Sequence, residues 1–330
     1  MIISKSAGIK LFFILILIPF NYSFNNETNS HTENGNYRIA ITVDDLPFTS
    51  LNGKNNERVV FIINELIENL RKFNAPATGF VNENKLYIDG KPDQTRIKVL
   101  EKWIRAGLDL GNHTFSHPDI NNTTIDEYLA DILNGEKITK ELLNRHKKSM
   151  KFFRHPFLHT GYNEITKRSL ADFLTENNYT VAPVTVDNSE WIFARAYDRS
   201  ETAGNDELKM KIASEYIEYM RDKTRYYKTQ SGQLFGYNIN HILLIHANKL
   251  NADHLDELLK MYVDESYDFI TVEEALTDPA YKSADNYTGR AGISWLHRWA
   301  ISLGKDRSFF EGEPLTPQYI LHAAGIESEK

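Results

Sequence analysis

The 330-residue sequence contains no cysteine. That absence excludes disulfide bonds, cysteine metal ligands, a thiol nucleophile and a lipid attached through a cysteine. Positive charge is outnumbered by negative charge, because the sequence has 38 Lys and Arg residues against 45 Asp and Glu residues. The basic residues form no continuous stripe. Such a chain has no general electrostatic attraction for nucleic acid or for anionic lipid. We therefore expect neither nucleic acid nor a stable membrane surface as a partner.

The N-terminal region carries an apolar run that is too short to cross a bilayer comfortably. Lys5 and Lys10 precede ten apolar residues, Leu11–Phe20, and a polar, asparagine-rich stretch follows. This pattern predicts a secretory signal at residues 1–23 and a linker at residues 24–36, and so a secreted, periplasmic or cell-envelope protein. An uncleaved membrane anchor is the alternative. Cleavage after residue 23 would leave 36 basic against 45 acidic side chains, a net charge of −9.

Beyond residue 36, short apolar runs alternate with amphipathic segments. The apolar runs predict strands at 39–43, 77–81, 108–110, 151–153, 179–186 and 242–245. The amphipathic segments predict helices at 57–73, 94–106, 124–145, 163–177, 207–225 and 251–262, and residues 269–276 complete the pattern. Strand-then-helix alternation of this length indicates α/β architecture, with a parallel sheet that closes into a barrel.

Ionisable residues stand where five of the predicted strands end. They are Asp44 with Asp45, His113, Arg154, Asp187 and His246. Because the carboxyl ends of barrel strands meet at one face, we expect these side chains to share a site. A turn before Pro47 is the simpler explanation of the two aspartates taken alone. Beside a cation, adjacent carboxylates suit a divided role, in which one binds the cation and the other accepts a proton.

Two histidines lie four residues apart, at positions 113 and 117. On a single helical turn both imidazoles would face the same way and could share a metal ion, although a loop or capping pair is the ordinary alternative. With Asp45 they would supply two nitrogens and one oxygen and leave a position open, which is typical of catalytic zinc. Cobalt or nickel would fit the same ligands.

These motifs resemble those of the polysaccharide deacetylase family, which is also called the NodB homology family or carbohydrate esterase family 4. Thr42–Asp45 is similar to the T-F-D-D motif of that family, and His113–His117 matches its H-[ST]-x-x-H motif. The resemblance implies that Asp44 is the catalytic base and that one divalent metal ion, zinc by default, is bound by Asp45 and both histidines. The family fold is a distorted (β/α) barrel.

The third family motif has its counterpart at residues 154–157, which resemble R-x-P-[YF]. The resemblance implies that Arg154 orients the catalytic base and that a backbone N–H, by our assignment that of Phe157, helps to hold the oxyanion. Leu158 departs from the family pattern, because another Gly often follows this motif. Leu46 likewise stands where the family usually has Gly. Both departures are expected to reshape the floor of the cleft.

The last two family motifs have counterparts near residues 190 and 245. Residues 187–191 resemble D-x-x-D-W, with Glu190 where Asp is common, and residues 244–246 resemble L-x-H. The resemblance implies that Asp187 contacts Arg154, that Trp191 lines the substrate pocket and that His246 is the catalytic acid. A buried core position is the competing explanation for Trp191.

The resemblance spans about residues 37–276 and implies a catalytic domain there. Residues 277–330 remain as a C-terminal helical extension of unassigned role. In that extension Trp295, Trp299 and Ile301 recur at helical spacing, so we expect them to pack a terminal helix onto the barrel. Tyr226, Tyr227 and Lys228 form an aromatic and basic patch that we expect to be solvated surface, with the border of a substrate groove as the alternative.

The function expected from the resemblance is a metal-dependent deacetylase that hydrolyses N-acetyl or O-acetyl groups of a glycan such as chitooligosaccharide, peptidoglycan or xylan. Metal-activated water would attack the carbonyl while Asp44 accepts its proton and His246 protonates the leaving group. Two alternatives remain: an amidohydrolase for a small non-sugar amide, and a catalytically silent carbohydrate-binding protein. The secretory signal favours a glycan. The sequence does not predict an oligomeric state.

Overall fold

The structure is a computed structural model that describes Met1, residues 37–49 and residues 55–329. Apart from Met1, the predicted signal and linker lie outside the described residues. The described residues from 37 to 329 form one compact unit. Among the described residues, no helix combines the length and apolar character needed to cross a membrane.

The described residues form nine strands, β1 to β9 in chain order: Tyr37–Leu46, Ala77–Val81, Tyr87–Ile88, Lys91–Pro92, Asp109–Asn112, Phe152–Phe153, Thr180–Val181, His241–His246 and Tyr267–Ile270. Seven of them make a parallel sheet in the order β7-β6-β5-β2-β1-β8, with β9 also paired to β1. β3 and β4 form a separate antiparallel pair. The central strand β1 is buried from Ile39 to Val43, as its uninterrupted apolar run predicts.

The two edges of the sheet meet beyond β7. Val186 forms a parallel bridge with Leu243 of β8, and the Thr185 N–H donates to the Ile242 carbonyl at 3.0 Å. The sheet therefore curls into a distorted (β/α) barrel, and the predicted fold class is confirmed. The predicted strand at 179–186 forms a regular ladder only over β7, and Pro183 within it has no N–H to donate to a neighbouring strand.

The described residues also form eleven α-helices, α1 to α11 in chain order: Asn56–Lys72, Gln94–Arg105, Ile125–Asn134, Lys137–Arg145, Glu164–Glu176, Glu190–Thr202, Asp206–Phe235, Lys249–Asp264, Val272–Ala275, Trp295–Ser302 and Gln318–Ala324. Asparagine side chains cap several of them. Asn55 accepts the Glu57 N–H at the start of α1, and Asn163 accepts the Thr166 N–H at the start of α5. These bonds satisfy backbone donors that have no partner within the helix.

The predicted helix at 124–145 is wrong in one respect, because it is two helices, α3 and α4, that separate near Gly135. A Cβ atom at residue 135 would lie 2.4 Å from the carbonyl carbon of Thr114. The backbone of the segment that follows β5 therefore packs directly against the chain between the two helices. This contact joins residues far apart in sequence, so helical periodicity could not predict it.

The helix α6 was not predicted from the sequence. Its buried residues lie on most of its sides, so no polar face alternates with an apolar one. The helix α7 runs ten residues past its predicted end and stops before Gly236, whose φ of 81° is left-handed. That conformation is the usual glycine signal for a helix end.

The C-terminal extension packs onto the barrel through α10. Trp295 and Trp299 are buried, as predicted, and the Trp295 N–H donates to the Val184 carbonyl at 2.8 Å. The prediction is wrong for Ile301, which is 42% exposed. The extension therefore covers the seam at which the two edges of the sheet meet.

A second anchor of the extension involves α7. Tyr227 is fully buried, in contrast to the prediction for this pair of tyrosines, and its hydroxyl donates to Glu313 at 3.0 Å. Lys223 Nζ lies 2.6 Å from the same Glu313 oxygen, and Tyr226 is half-buried with its hydroxyl 3.0 Å from His297. The patch is therefore an internal interface between α7 and the extension.

We expect Gly135→Ala to destabilise the protein by about 1–3 kcal/mol, the usual cost of overpacking, because the new methyl group would collide with the Thr114 backbone. Gly232→Ala is the matched control, since a Cβ there meets nothing within 4 Å and alanine favours a helix. Urea denaturation of both variants measures the difference. Equal midpoints would contradict the close approach at residue 135.

Candidate active site

A cleft of about 620 Å³ opens at the carboxyl ends of the central strands. Eight of the nine site residues that the sequence predicts line it: Asp44, Asp45, His113, His117, Phe157, Asp187, Trp191 and His246. The ninth, Arg154, is completely buried. The fold therefore brings together side chains from five separate segments of the chain.

Asp44 and Asp45 enter the same cleft because the chain turns between them. In a regular strand, adjacent side chains point to opposite faces. Asp45 has a left-handed backbone, with φ of 68°, and the pairing of β1 with β2 shifts in register at this point. Aspartate is among the few residues other than glycine that adopt this conformation readily. On its other side, β1 pairs Asp44 with His246 of β8.

Three side chains form a cluster that can bind one metal ion. The Asp45 Oδ1 atom lies 4.0 Å from His113 Nε2 and 3.8 Å from His117 Nε2, and suitable donor atoms of all three residues lie within 4.8 Å of one another. Since zinc takes such donors at about 2.0–2.2 Å, a small closing movement would complete three ligands around one ion. The donor set thus fits a divalent metal.

The orientation of His113 is set by a second contact. Its Nδ1 lies 2.8 Å from the carbonyl oxygen of Arg154, a geometry in which Nδ1–H donates and Nε2 keeps its lone pair. A metal-binding histidine needs this tautomer when Nε2 is the ligand atom. The bond ties the cluster to the chain that follows β6.

The segment from His113 to His117 is a loop and not the helical turn considered from the sequence. Thr114 and His117 both have left-handed backbones, with φ of 66° and 58°. The N–H groups of Phe115 and Ser116 each donate to Asp131 Oδ1 of α3 at 2.9 Å. A loop held by hydrogen bonds to Asp131, and not helical spacing, therefore brings the two imidazoles together. The sequence offers no signal for the role of Asp131.

The charges of the cluster suit a cation. Burial lowers the pKa of His113 and of His117, so both imidazoles are neutral and able to act as ligands. Burial would raise the pKa of Asp45, but the charge of the Lys85 ammonium, 3.0 Å from Oδ1, opposes it, and this pKa lies below its ordinary value. Asp45 is therefore an anion.

Asp44 lies beside the cluster and against Arg154. Arg154 Nη1 is 3.4 Å from Asp44 Oδ2, and Nη2 donates to the Thr42 hydroxyl at 2.9 Å. Burial raises the pKa of Asp44 to about 6, although the Arg154 charge opposes the rise. Within the described part of the chain, the other oxygen, Oδ1, is buried without a hydrogen-bond partner. Asp44 can therefore accept a proton near neutral pH.

Asp187 lines the cleft but does not make the contact expected of it. Among the described residues, no ion pair within 4.0 Å joins its carboxylate to Arg154, whose guanidinium is instead bound by Thr42 and Asp44. Asp187 Oδ1 accepts the N–H of Asn188 at 2.9 Å. Burial raises the pKa of Asp187 to about 6, against the opposing charges of Lys223 and Arg154. It acts on Arg154 only through longer-range charge.

Glu190 is the functional residue that the sequence analysis missed. It is fully buried, and its Oε2 lies 2.7 Å from His246 Nδ1, while Oε1 accepts from Asn251 Nδ2 at 2.7 Å and from the Asn248 side chain. Burial alone would lower the pKa of His246, but the Glu190 charge raises it to about 9. His246 is thus a cation whose Nε2 remains for the cleft. The sequence showed Glu190 only as a departure from a motif.

Two aromatic side chains form the exposed rim of the cleft. Phe157 is 52% exposed and Trp191 is 47% exposed, so Trp191 is not a core residue. The Phe157 ring meets the His117 ring edge to face, with 4.5 Å between centroids. Exposed aromatic faces beside a polar cleft can stack on a ring-shaped ligand such as a sugar.

Comparison with known proteins agrees with this site. A family model described as polysaccharide deacetylase matches residues 31–177. That range contains the Asp44–Asp45 pair, both cluster histidines and Arg154, whereas residues 187–191 and 244–246 lie beyond it.

Two curated proteins are similar in sequence. A peptidoglycan-N-acetylglucosamine deacetylase of Bacillus cereus is 26% identical over 153 residues, which cover 46% of this chain and 46% of the relative. The peptidoglycan-N-acetylmuramic acid deacetylase PdaC of Bacillus subtilis is 22% identical over 237 residues, or 72% of this chain and 38% of the relative. The chain thus spans less than half the length of these relatives. Among solved structures, peptidoglycan deacetylase PdaC from Bacillus subtilis superposes with a TM-score of 0.45 at 21% identity, covering 73% of this chain and 92% of that one.

We expect Asp45→Asn and His113→Ala each to lose tightly bound zinc, because each removes one of only three protein ligands. Asp44→Asn should keep about one ion per chain, since it changes a neighbour of the cluster and not a ligand. Metal content after zinc loading and gel filtration, measured by atomic spectrometry, separates the cases. Asp187→Asn is the matched control. Full zinc content in Asp45→Asn would contradict the assignment of the cluster.

Proposed function

Since a polysaccharide deacetylase family model matches residues 31–177, we propose that this chain is a member of that family and a metal-dependent hydrolase that removes acetyl groups from a glycan. One observation carries the proposal. A carboxylate able to accept a proton and an imidazolium able to donate one line the same cleft as a three-ligand metal cluster. Metal-dependent hydrolysis of an amide uses these three functions at one place.

The cluster of Asp45, His113 and His117 would hold the metal ion, with zinc as the first choice and cobalt or nickel as alternatives. When bound, such an ion polarises the substrate carbonyl and makes water a better nucleophile. The protein contributes the protonation states that binding needs, an anionic carboxylate and two neutral imidazoles. The Arg154 carbonyl keeps His113 in the required tautomer.

Asp44 and His246 divide the proton transfers between them. Asp44, with a pKa of about 6, takes the proton of the attacking water, and Arg154 stabilises the anionic form before the transfer. His246, with a pKa of about 9, gives its proton to the departing amine. The base is ionised above the lower value and the acid is protonated below the higher one, so activity should be greatest between them.

The substrate we propose is an N-acetylated glycan, with peptidoglycan first and chitooligosaccharide next. The exposed aromatic rim of Phe157 and Trp191 favours a sugar over a small linear amide. The two curated relatives are named for N-acetylglucosamine and N-acetylmuramic acid deacetylation of peptidoglycan. O-Acetyl esters of xylan are the alternative. The predicted signal supports a reaction outside the cytoplasm, in the periplasm or cell envelope or after secretion.

Acetate release tests the proposal directly. Zinc-loaded protein is incubated with peptidoglycan, chitooligosaccharide and acetyl-xylan, with and without a chelator. We expect release from at least one of them that the chelator abolishes, and we expect Asp44→Asn to lose about 10²–10⁴-fold of that activity because a general base is removed. Failure of metal-loaded protein to release acetate from any glycan would reject the proposal. Tight binding without release would favour a carbohydrate-binding protein.

A second prediction concerns pH. Glu190→Gln removes the charge that raises the pKa of His246, so this pKa should fall by about one unit or more. His246 acts as an acid and must be protonated, so the alkaline limb of kcat/KM should move to lower pH while the acidic limb stays in place. A pH profile of both proteins measures the shift, with Asp187→Asn as the control. An unmoved alkaline limb would contradict the pairing of Glu190 with His246.

A further inference from the structure

We propose that residues 285–298 of the C-terminal extension form a clamp that holds Phe157 and Leu158 in place at the cleft, and that Arg298 is a positioning residue for the reaction. The inference rests on the proposed function only for its effect on turnover. The clamp itself follows from contacts between the extension and the chain after β6.

Phe157 and Leu158 need to be held. Both have left-handed backbones, with φ of 56° at each, although neither is glycine. Branched and aromatic residues rarely adopt this conformation, because Cβ crowds the backbone, and two in succession persist only where the surroundings impose them. Locally, only turn bonds support the pair, from the N–H groups of Leu158 and His159. The half-exposed Phe157 ring contributes little burial.

Arg298 supplies one part of the restraint. Its side chain is 1% exposed, and its guanidinium donates to the Leu158 carbonyl at 3.4 Å and to the Thr160 hydroxyl at 2.5 Å. Asp285 neutralises the charge, with Oδ2 2.8 Å from Nη2. A planar guanidinium holds several donors in a fixed geometry and can bind two points of one loop at once, whereas a lysine offers a single ammonium on a flexible stem. Arg298 thus ties the loop to α10.

Gly292 supplies the second part of the restraint on Phe157 and Leu158. A Cβ atom at this residue would lie 1.8 Å from the Phe157 carbonyl oxygen and 3.2 Å from Leu158 Cβ. The backbone at residue 292 therefore lies directly over the strained pair, and no side chain fits there. The segment is itself anchored, because the Arg290 carbonyl accepts from Asn121 Nδ2 at 3.0 Å.

Phe157, which the clamp restrains, lies against the metal-binding cluster of Asp45, His113 and His117. The Phe157 ring contacts the His117 ring, and Gly292 and Phe157 both line the cleft. Release of the clamp should therefore displace Phe157, its backbone N–H and the cleft wall together, while the three metal ligands stay on β1 and the Asp131-supported loop. A positioning role predicts a loss in turnover at constant metal affinity.

The test compares Arg298→Ala and Arg298→Lys with Arg307→Ala. Arg307 is an exposed arginine of the same extension that makes no ion pair among the described residues. We expect Arg298→Ala to lower kcat by about tenfold or more with KM changed by less than about threefold, because misplacement of reacting groups acts mainly on turnover. Zinc content should be unchanged. The kcat of Arg298→Lys should lie between those of Arg298→Ala and the wild type. The kcat of Arg307→Ala should match that of the wild type.

Hydrogen exchange supplies a readout that does not depend on turnover. Peptides covering residues 155–162 should exchange faster in Arg298→Ala, while peptides covering 113–117 should not change. If wild-type protein releases no acetate, the proposed function fails, and exchange alone still decides whether the clamp exists. Faster exchange with unchanged kcat would reject the positioning role.

Two further variants cover the case in which Arg298→Ala does not fold. Thr160→Val removes a single acceptor of the guanidinium, whereas Gly292→Ala places a methyl group against the Phe157 carbonyl and Leu158. Each should raise exchange over residues 155–162 and lower kcat. Wild-type exchange and wild-type kcat in both variants would overturn the proposal, as would an Arg298→Ala protein indistinguishable from Arg307→Ala.

Discussion

The buried Arg154 joins the two halves of the site. Its carbonyl oxygen fixes the tautomer of His113, a member of the candidate metal-binding cluster, and its guanidinium lies against Asp44, the proposed base. Because the side chain is completely buried, its charge depends on Asp44 and Thr42, and the carboxylate in turn depends on that charge. The candidate metal-binding cluster and the proposed base are therefore linked both by hydrogen bonding and by charge through Arg154, the residue that follows the short strand β6.

Two buried carboxylates beside the cleft have opposite effects on acid–base chemistry. Asp44 faces one guanidinium at 3.4 Å and keeps a raised pKa, so its carboxylate can accept a proton near neutral pH. Glu190 accepts from two asparagines and from His246, and it turns that histidine into an acid. The distance between partners and the number of donors around each carboxylate account for the difference, not residue type.

Much of this arrangement could be predicted, and the failures have a common cause. The strands β1, β2 and β8 and the residues at their ends follow from local patterns of apolar and ionisable residues. The break at Gly135, the loop between the two histidines and the pairing of Glu190 with His246 each depend on a contact between distant segments. Such contacts leave no periodic signal in the sequence. The helix α6 was missed because a helix buried on most sides has no amphipathic pattern.

The two edges of the sheet meet between Val186 and Leu243, and this position affects the order in which the site can assemble during synthesis. A ribosome that has reached residue 117 has made β1, β2 and β5 and all three residues of the metal-binding cluster, well before it reaches β8. Until then one long edge of β1 has no partner, since its pairing with β8 spans about 200 positions, as the Thr42 hydroxyl to Leu243 carbonyl bond illustrates with a separation of 201. A nascent chain can therefore gather the three cluster residues early, yet it cannot close the barrel or bring His246 into the cleft until residues 241–246 have emerged.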